Sequence, residues 1–273
     1  MTSQQDDRAF RALTQKISRS RGVSCESYKD KCLKRRIAVR MRARGVHTYD
    51  EYSQLLDDDA HEYEQLLDTL TINVTKFYRN ADTWAALADP HLAQRWRARD
   101  GHLRIWSAGC ASGEEPYTIA VVVAEIARAA AQNAWLGRVQ IDATDVDRAS
   151  LERTKEARYP TEAFSEMPAD LKRRYFTAAP PHTPVPAIQA QVRVFAHDLM
   201  RAPPPHQPYD LIICRNVVIY FERAAQERLF QSFADALGSG GLLLLGKVET
   251  LFGPARDRLT LLDPRERIYR KPA

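Results

Sequence analysis

The stretch 102–120, HLRIWSAGCASGEEPYTIA, limits the possible folds of this chain more than any other. Leu103, Ile105 and Trp106 are strand formers, Gly109 and Gly113 let the backbone turn tightly, and Pro116 suits the first turn of a helix. A buried strand, a small-residue turn and a helix in that order make a βα unit, and open α/β sheets bind ligands in the crevice where such strands end. The chemistry of the turn narrows the ligand. In a dinucleotide fold, bare amides at the helix N-terminus meet a pyrophosphate, whereas Glu114 and Glu115 occupy that place here and would repel phosphate. Either the two carboxylates only complement the positive helix end, or they receive a cationic ligand group such as an ammonium. S-adenosylmethionine (SAM) carries an ammonium and a sulfonium and has no phosphate.

Downstream, an Ala- and Val-rich helix follows and a second strand is expected over 139–144, ending in Asp145 and Asp147. Asp145 is placed to accept two ribose hydroxyls from a nucleoside held over the first turn, and Asp147 to cap the next helix. From 159 to 197 the pattern loosens into an expected insertion carrying a short β-hairpin, with the proline-rich run AAPPHTPVP before an alternating stretch that Asp198 closes. Its prolines favour rigid turns or an extended edge over a central strand. A second proline cluster leads into YDLIICRNVVIYF, a buried strand with Arg215 and Asn216 just past its end, again at the ligand edge. An amphipathic helix over 222–237, the strand LLLLGKVE and two short strands around Asp-Pro-Arg-Glu complete the sheet.

The first 70 residues read differently. Phe10, Leu13 and Ile17 mark one helix, Thr48 with Glu51 makes a capping box for another, and Tyr63, Leu66, Leu67 and Leu70 continue the helical period. With 273 residues and 44% hydrophobic content, the chain can bury an α/β core and carry this second, all-helical domain, so domains are expected over 1–70 and 71–273. The net charge of +5 is unevenly spread. Between residues 29 and 44 stand Lys29, Lys31, Lys34, Arg35, Arg36, Arg40, Arg42 and Arg44, while Leu33, Ile37 and Met41 recur at helical spacing. A helix there would seat one apolar stripe and turn its basic faces outward, to solvent, to an acidic protein or to nucleic acid. The segment TINVTKFYRNADTW, with Asn73, Thr75 and Arg79, reads as a connector between the domains, where ligand clefts often form. No apolar run approaches membrane-spanning length and the start MTSQQDDRAF has no signal-peptide character, so a cytoplasmic protein without direct membrane insertion is expected. The four cysteines form no Cys-x-x-Cys pair and have no partnered histidines, which indicates buried free thiols and no metal site.

Four motifs in order, NVTKFYR, WSAGCASGEEPYTIA, ATDVD and DLIICRNVVIYF, with the late strand GLLLLGKVETLFG, resemble the chemotaxis receptor methyltransferases of the CheR family over nearly the whole chain. The resemblance implies a Rossmann-like SAM-dependent methyltransferase sheet with a small all-helical N-terminal domain and a hairpin insertion. It implies methyl transfer from SAM to glutamate side chains on chemoreceptor cytoplasmic helices, giving glutamate methyl esters. By position, it puts Asn73, Thr75 and Arg79 in a connector folded over the cofactor, with Arg79 also reaching the reaction centre. Glu115 then holds the methionine part and Asp145 the ribose. Asp198 and Leu199 stand near the adenine, where the family often has asparagine and leucine, and an aspartate there has lost the donor. Arg215 and Asn216 match the cofactor edge, and Tyr220 a tyrosine lining the active site. Structural roles stay open beside these: an interdomain ion pair for Arg79, a core position for Tyr220, a turn for Asn216. The basic helix would dock the glutamate-rich receptor helices, and a monomer is expected. A base-methylating enzyme would carry an acidic or amide residue followed by Pro-Pro-aromatic where this chain has CRNVVIYF, so nucleic acid is not an expected partner. A SAM-binding signalling module without transfer activity, or a carboxyl methyltransferase of another signalling protein, are the remaining alternatives. In the family a three-stranded insertion lets some members tether to a receptor C-terminal peptide by strand addition, and this shorter, proline-rich version leaves that open.

Overall fold

A computed structural model describes residues 3–21, 23–70 and 75–273. Asn73 lies outside them. Contacts divide the chain into two compact units, Met1–Asn73 with Tyr220–Ala225, and Val74–Ile219 with Gln226–Ala273.

Among its described residues the first unit holds four α-helices: α1 (Ser3–Arg21), α2 (Asp30–Ala43), α3 (Tyr49–Asp58) and α4 (Ala60–Leu70). The helical period read in the sequence is the packing period, since Phe10, Leu13, Ile17, Leu33, Ile37, Met41, Tyr52, Leu56 and Leu66 form one buried cluster. The capping box forms: the Glu51 N–H donates to the Thr48 hydroxyl and the Thr48 N–H to the Glu51 carboxylate, each at 3.2 Å. The expectation that α2 turns its cations outward holds only for part of them. Lys31, Arg35 and Arg42 are exposed, but Arg36 is buried, with its guanidinium 4.4 Å from the Tyr220 ring and one N–H on the Leu70 carbonyl. Arg40 binds Glu62 through Nε and Nη2 at 3.0 and 2.5 Å. The cause is on α4: Glu62 is fully buried, and a buried carboxylate requires a cation and hydrogen bonds, here also the Tyr52 hydroxyl at 2.6 Å.

The second unit is built on one seven-stranded sheet. In chain order it comprises α5 (Ala81–Ala86), α6 (Ala93–Arg97), β1 (Leu103–Ala108), α7 (Glu114–Ala129), β2 (Val139–Asp145), α8 (Arg148–Glu156), α9 (Ala169–Tyr175), α10 (Pro186–Gln189), β3 (Val192–Ala196) and β4 (Tyr209–Cys214). Then come α11 (Arg223–Ala236), β5 (Leu237–Leu245), α12 (Ala255–Arg258), β6 (Thr260–Asp263) and β7 (Ile268–Arg270). The strand order is β3-β2-β1-β4-β5-β7-β6, parallel from β3 to β5 and antiparallel at β7 and β6. The order reverses between β1 and β4, which places the ligand crevice at the carboxyl ends of β1, β2 and β4. Residues of α7 from Tyr117 to Ala124 are buried on every side, and they pack with Ile105, Ile141, Leu211 and Ile213 of the sheet. The other sheet face carries Trp106 stacked on Tyr209 and edge-on to Phe233 of α11.

In place of the expected hairpin, residues 159–191 hold two isolated antiparallel bridges, Tyr159 with His182 and Phe176 with Pro184. The alternating stretch counted with that insertion is β3, the edge strand of the main sheet, parallel to β2 with Ile141 opposite Val192 and Asp145 opposite Ala196. Alternation marks a half-buried strand without saying which neighbour it joins, and Pro180, Pro181, Pro184 and Pro186 have no N–H to offer a ladder. An aromatic cluster holds the segment instead: Phe77 stacks on Phe164 at 4.4 Å and meets Tyr159 and Phe176 edge-on. Among the described residues no helix is long and apolar enough to cross a membrane, and Cys25, Cys110 and Cys214 are buried free thiols while Cys32 is half-buried.

Candidate active site

The turn after β1 adopts the geometry its glycines permit, with φ of +86° at Gly109 and +100° at Gly113. A Cβ would lie 2.6 Å from Val217 at the first and 2.5 Å from the Tyr159 hydroxyl oxygen at the second, so side chains are excluded for space as well as conformation. The Gly109 and Cys110 N–H groups both donate to the Thr144 carbonyl, at 2.8 and 2.9 Å, tying the turn to the end of β2. There Asp145 accepts the Ala111 N–H on one oxygen (2.9 Å) and the Asp147 N–H on the other (3.0 Å). Each oxygen keeps a lone pair, an arrangement that suits a vicinal diol. Burial pushes the Asp145 carboxyl above its ordinary pKa against the pull of those N–H bonds.

Glu115, at the start of α7, takes the Ser107 hydroxyl at 2.8 Å and lies 3.8 Å from Arg215 Nη1. Burial raises its pKa too; Arg215 is the strongest opposing influence, and Arg79 acts in the same sense. Glu114 turns back to the Ser112 hydroxyl at 2.7 Å and serves the turn. Arg215, at the end of β4, donates from Nη2 to the Arg79 carbonyl (3.0 Å) and to Asn80 Oδ1 (2.9 Å), and its guanidinium carbon lies 5.1 Å from the Trp84 ring centre. Its buried Nε has no partner among the described residues. The Trp84 indole N–H reaches the same Arg79 carbonyl at 3.1 Å. The connector is fixed further by the Phe77 N–H on the Ala163 carbonyl, the Tyr78 N–H on the Thr118 hydroxyl and the Asn80 N–H on Glu166. Arg79 is therefore positioned through its backbone, and Thr75 is half-buried at the start of the same segment.

Asp198 and Leu199 follow β3, whose ladder is extended by the His197 N–H on the Asp145 carbonyl at 2.9 Å. The Asp198 carboxylate accepts the Met200 N–H at 2.8 Å and lies 3.7 Å from Arg201 Nε, a turn-capping use; Leu199 is half-buried. Asn216 has φ of +60°, and its N–H donates to Glu249 at 3.0 Å. Glu249 escaped the sequence reading. It is 3% exposed and also accepts the Gly246 N–H at 2.6 Å and the Ile219 N–H at 3.4 Å, so one carboxylate shapes the loop after β4. The signal was the acid that ends the late stretch GLLLLGKVE, but nothing local tells it from a surface glutamate. Of the predicted residues, Arg79, Glu115 and Arg215 stand together, and Asp145 with Asp198 at neighbouring strand ends. Tyr220 belongs to the first unit, stacked on Arg36.

A parallel sheet with carboxylates after both β1 and β2, a guanidinium after β4 and a second on the connector before α5 offers groups that suit SAM: acid for an ammonium, paired acceptors for a ribose, a cation for the reacting end. These residues fit that cofactor, and the protein is a SAM-dependent methyltransferase. Residues 73–267 match the family described as CheR methyltransferase, SAM binding domain, and residues 8–71 match the CheR methyltransferase, all-alpha domain. A chemotaxis protein methyltransferase of Klebsiella aerogenes is 32% identical over 259 residues, 92% of this chain and 86% of that protein. One of Listeria innocua is 31% identical over 252 residues (92% and 93% of the two chains), and one of Escherichia coli 30% over 263 (93% and 88%). The chain belongs to the CheR methyltransferase family, and its reaction is SAM-dependent methylation in chemotaxis.

Proposed function

We propose that this enzyme methylates glutamate side chains on the cytoplasmic helices of chemoreceptors, giving glutamate methyl esters. The observation that carries the reading is Arg79: a guanidinium on a segment pinned by Trp84, Arg215 and Thr118, near the buried Glu115, whose raised pKa it opposes together with Arg215. A cation placed there serves an anionic acceptor. A glutamate carboxylate is ionised at neutral pH, so its oxygen attacks without a general base and positioning dominates. Bound SAM supplies an electrophilic sulfonium methyl. Glu115 meets the ammonium, Asp145 accepts the ribose hydroxyls, and Asn73, Thr75, Asp198, Leu199, Arg215 and Asn216 complete the cofactor contacts. Arg79 and Tyr220 set the approach of the substrate carboxylate without a tight bidentate clamp, which would withdraw its electrons.

The work is divided between residues 1–70, which dock the substrate, and 71–273, which hold the cofactor. Docking falls to the exposed Lys31, Arg35 and Arg42, since Arg36 and Arg40 are committed inside the first unit. The enzyme acts as a cytoplasmic monomer. The test is incubation with methyl-labelled SAM and receptor cytoplasmic fragments. Base-labile methyl release is expected, falling about 100-fold or more in Arg79→Ala while affinity for the product S-adenosylhomocysteine (SAH) holds within a few-fold. Full transfer by Arg79→Ala with unchanged SAH binding would remove that residue from catalysis.

A further inference from the structure

At the end of the sheet opposite the active site, where β1, β2 and β4 begin, lies an open cleft of about 540 Å³. Its lining includes Arg99, His102, Arg104 and Arg138, with Val139 and Pro208 as an apolar wall. Strand register explains the grouping. Arg104 stands opposite Gln140 on β2, and with Ile105 opposite Leu211, Asp210 on β4 is its neighbour on the other side.

Asp210 is the one carboxylate in the lining, and its charge is already met. One oxygen accepts Arg95 Nε and Nη2 at 2.9 and 2.6 Å and lies 3.2 Å from Arg99 Nε; the other accepts the Arg104 N–H at 2.9 Å. Arg138 places Nη1 on the Asp100 carbonyl at 3.0 Å. Arg104 is half-buried as a residue, and its guanidinium makes no hydrogen bond or ion pair among the described residues. Arg138 is spent in part on a backbone carbonyl, whereas the Arg104 guanidinium is not. A guanidinium without a protein acceptor, flanked by further cations and lining a cavity of ligand size, is an arrangement that an anion completes.

We infer that this cleft binds a small phosphate-bearing molecule, separate from the cofactor, with Arg104 and Arg138 as the principal phosphate contacts. Guanidinium groups match phosphate bidentately, and the Val139 and Pro208 wall offers an apolar surface to a base or similar flat group. The volume suits a nucleotide, and the concave shape favours a small molecule over an acidic peptide. SAM has no phosphate and its acids stand after the opposite strand ends, so the two sites do not compete for ligand chemistry.

The test is calorimetric titration of the SAH-saturated full chain with ADP and, separately, with inorganic pyrophosphate, in salt of about 0.15 M to suppress diffuse attraction. One-to-one saturable binding is expected, weakened about tenfold or more by Arg104→Gln and by Arg138→Gln, with SAH affinity unchanged in both. ADP binding more tightly than pyrophosphate assigns the site to nucleotides; equal affinities assign it to inorganic phosphates. Should Arg104→Gln fail to fold, the exposed Arg138→Gln carries the comparison. Absence of saturable binding by either compound at millimolar concentration overturns the proposal. So does binding that the foldable variants leave intact, or saturable uptake of a poly-glutamate peptide that neither phosphate compound displaces.

Discussion

Glu115 is held by one hydroxyl and by a guanidinium that stays 3.8 Å away, so its charge is incompletely met within the protein, and burial keeps its carboxyl above the ordinary glutamate range. That imbalance suits a residue whose partner is a ligand cation. The sign of the pH dependence follows: the ammonium binds the ionised form, so SAH affinity falls as pH drops through the raised pKa of Glu115, at a pH where an exposed glutamate, with a pKa of about 4.3, would still be charged. Calorimetric affinities for SAH in the native protein are expected to decline from about pH 7.5 downward toward the ordinary glutamate range. Glu115→Gln is expected to bind about tenfold more weakly at the upper pH and to show a shallower decline, Asp145 contributing the remainder. A variant that keeps the native slope would show that Glu115 does not meet the ammonium. The positions of Glu115 and Asp145 were legible because one opens the helix after the first sequence-visible strand and the other ends the second. Glu249 was not, since its role depends on three backbone N–H groups brought to it by the tertiary fold.

Helix α2 shows what periodicity reveals about an element and what it conceals. The apolar positions Leu33, Ile37 and Met41 fix its inner face, and they are buried as the 3.6-residue period requires. The charges between them look equivalent in sequence, yet Arg40 answers the buried Glu62 on α4 while Arg35 and Arg42 face solvent. The two classes are expected to separate on substitution. Arg35→Glu with Arg42→Glu is expected to raise the Michaelis constant for a receptor fragment and flatten its salt dependence, with unfolding free energy unchanged within about 0.5 kcal/mol. Arg40→Ala is expected to cost about 3 kcal/mol by leaving the Glu62 charge poorly matched, with Arg44 at 3.3 Å as partial compensation. Denaturant titration alongside steady-state kinetics distinguishes them, and loss of stability in the Arg35/Arg42 pair would remove the docking assignment. The stretch 192–196 teaches the same lesson for a strand. Its alternation was visible, but its partner, β2, was not, because no local residue encodes a parallel pairing across an intervening helix.

At the scale of the molecule, the chain path interleaves the two units. Tyr220–Ala225 is grouped with the first unit although β4 precedes it and α11 carries the chain on into the second. Within the first unit the segment is well held: the Lys29 N–H donates to the Tyr220 carbonyl at 2.9 Å, the Glu222 N–H to the Ser27 carbonyl at 2.8 Å, and the Phe221 ring meets Tyr28 edge-on at 4.9 Å. Unfolding the four helices releases this segment and with it the first turn of α11, so disorder in one unit removes a boundary condition from the other. Coupled unfolding of the two units is the expected outcome. SAH, proposed above to bind at Glu115 and Asp145 of the second unit, should therefore stabilise the first as well, by about 2.7 kcal/mol at a concentration 100 times its dissociation constant. All four tryptophans, Trp84, Trp96, Trp106 and Trp135, lie in the second unit, so their fluorescence reports on it alone, while hydrogen exchange in α1 to α4 reports on the first. Both signals are expected to shift together as SAH is raised. If exchange in α1 to α4 ignores SAH while the tryptophan transition moves, the segment 220–225 does not couple the units, and Tyr220 would have to be positioned by the second unit alone.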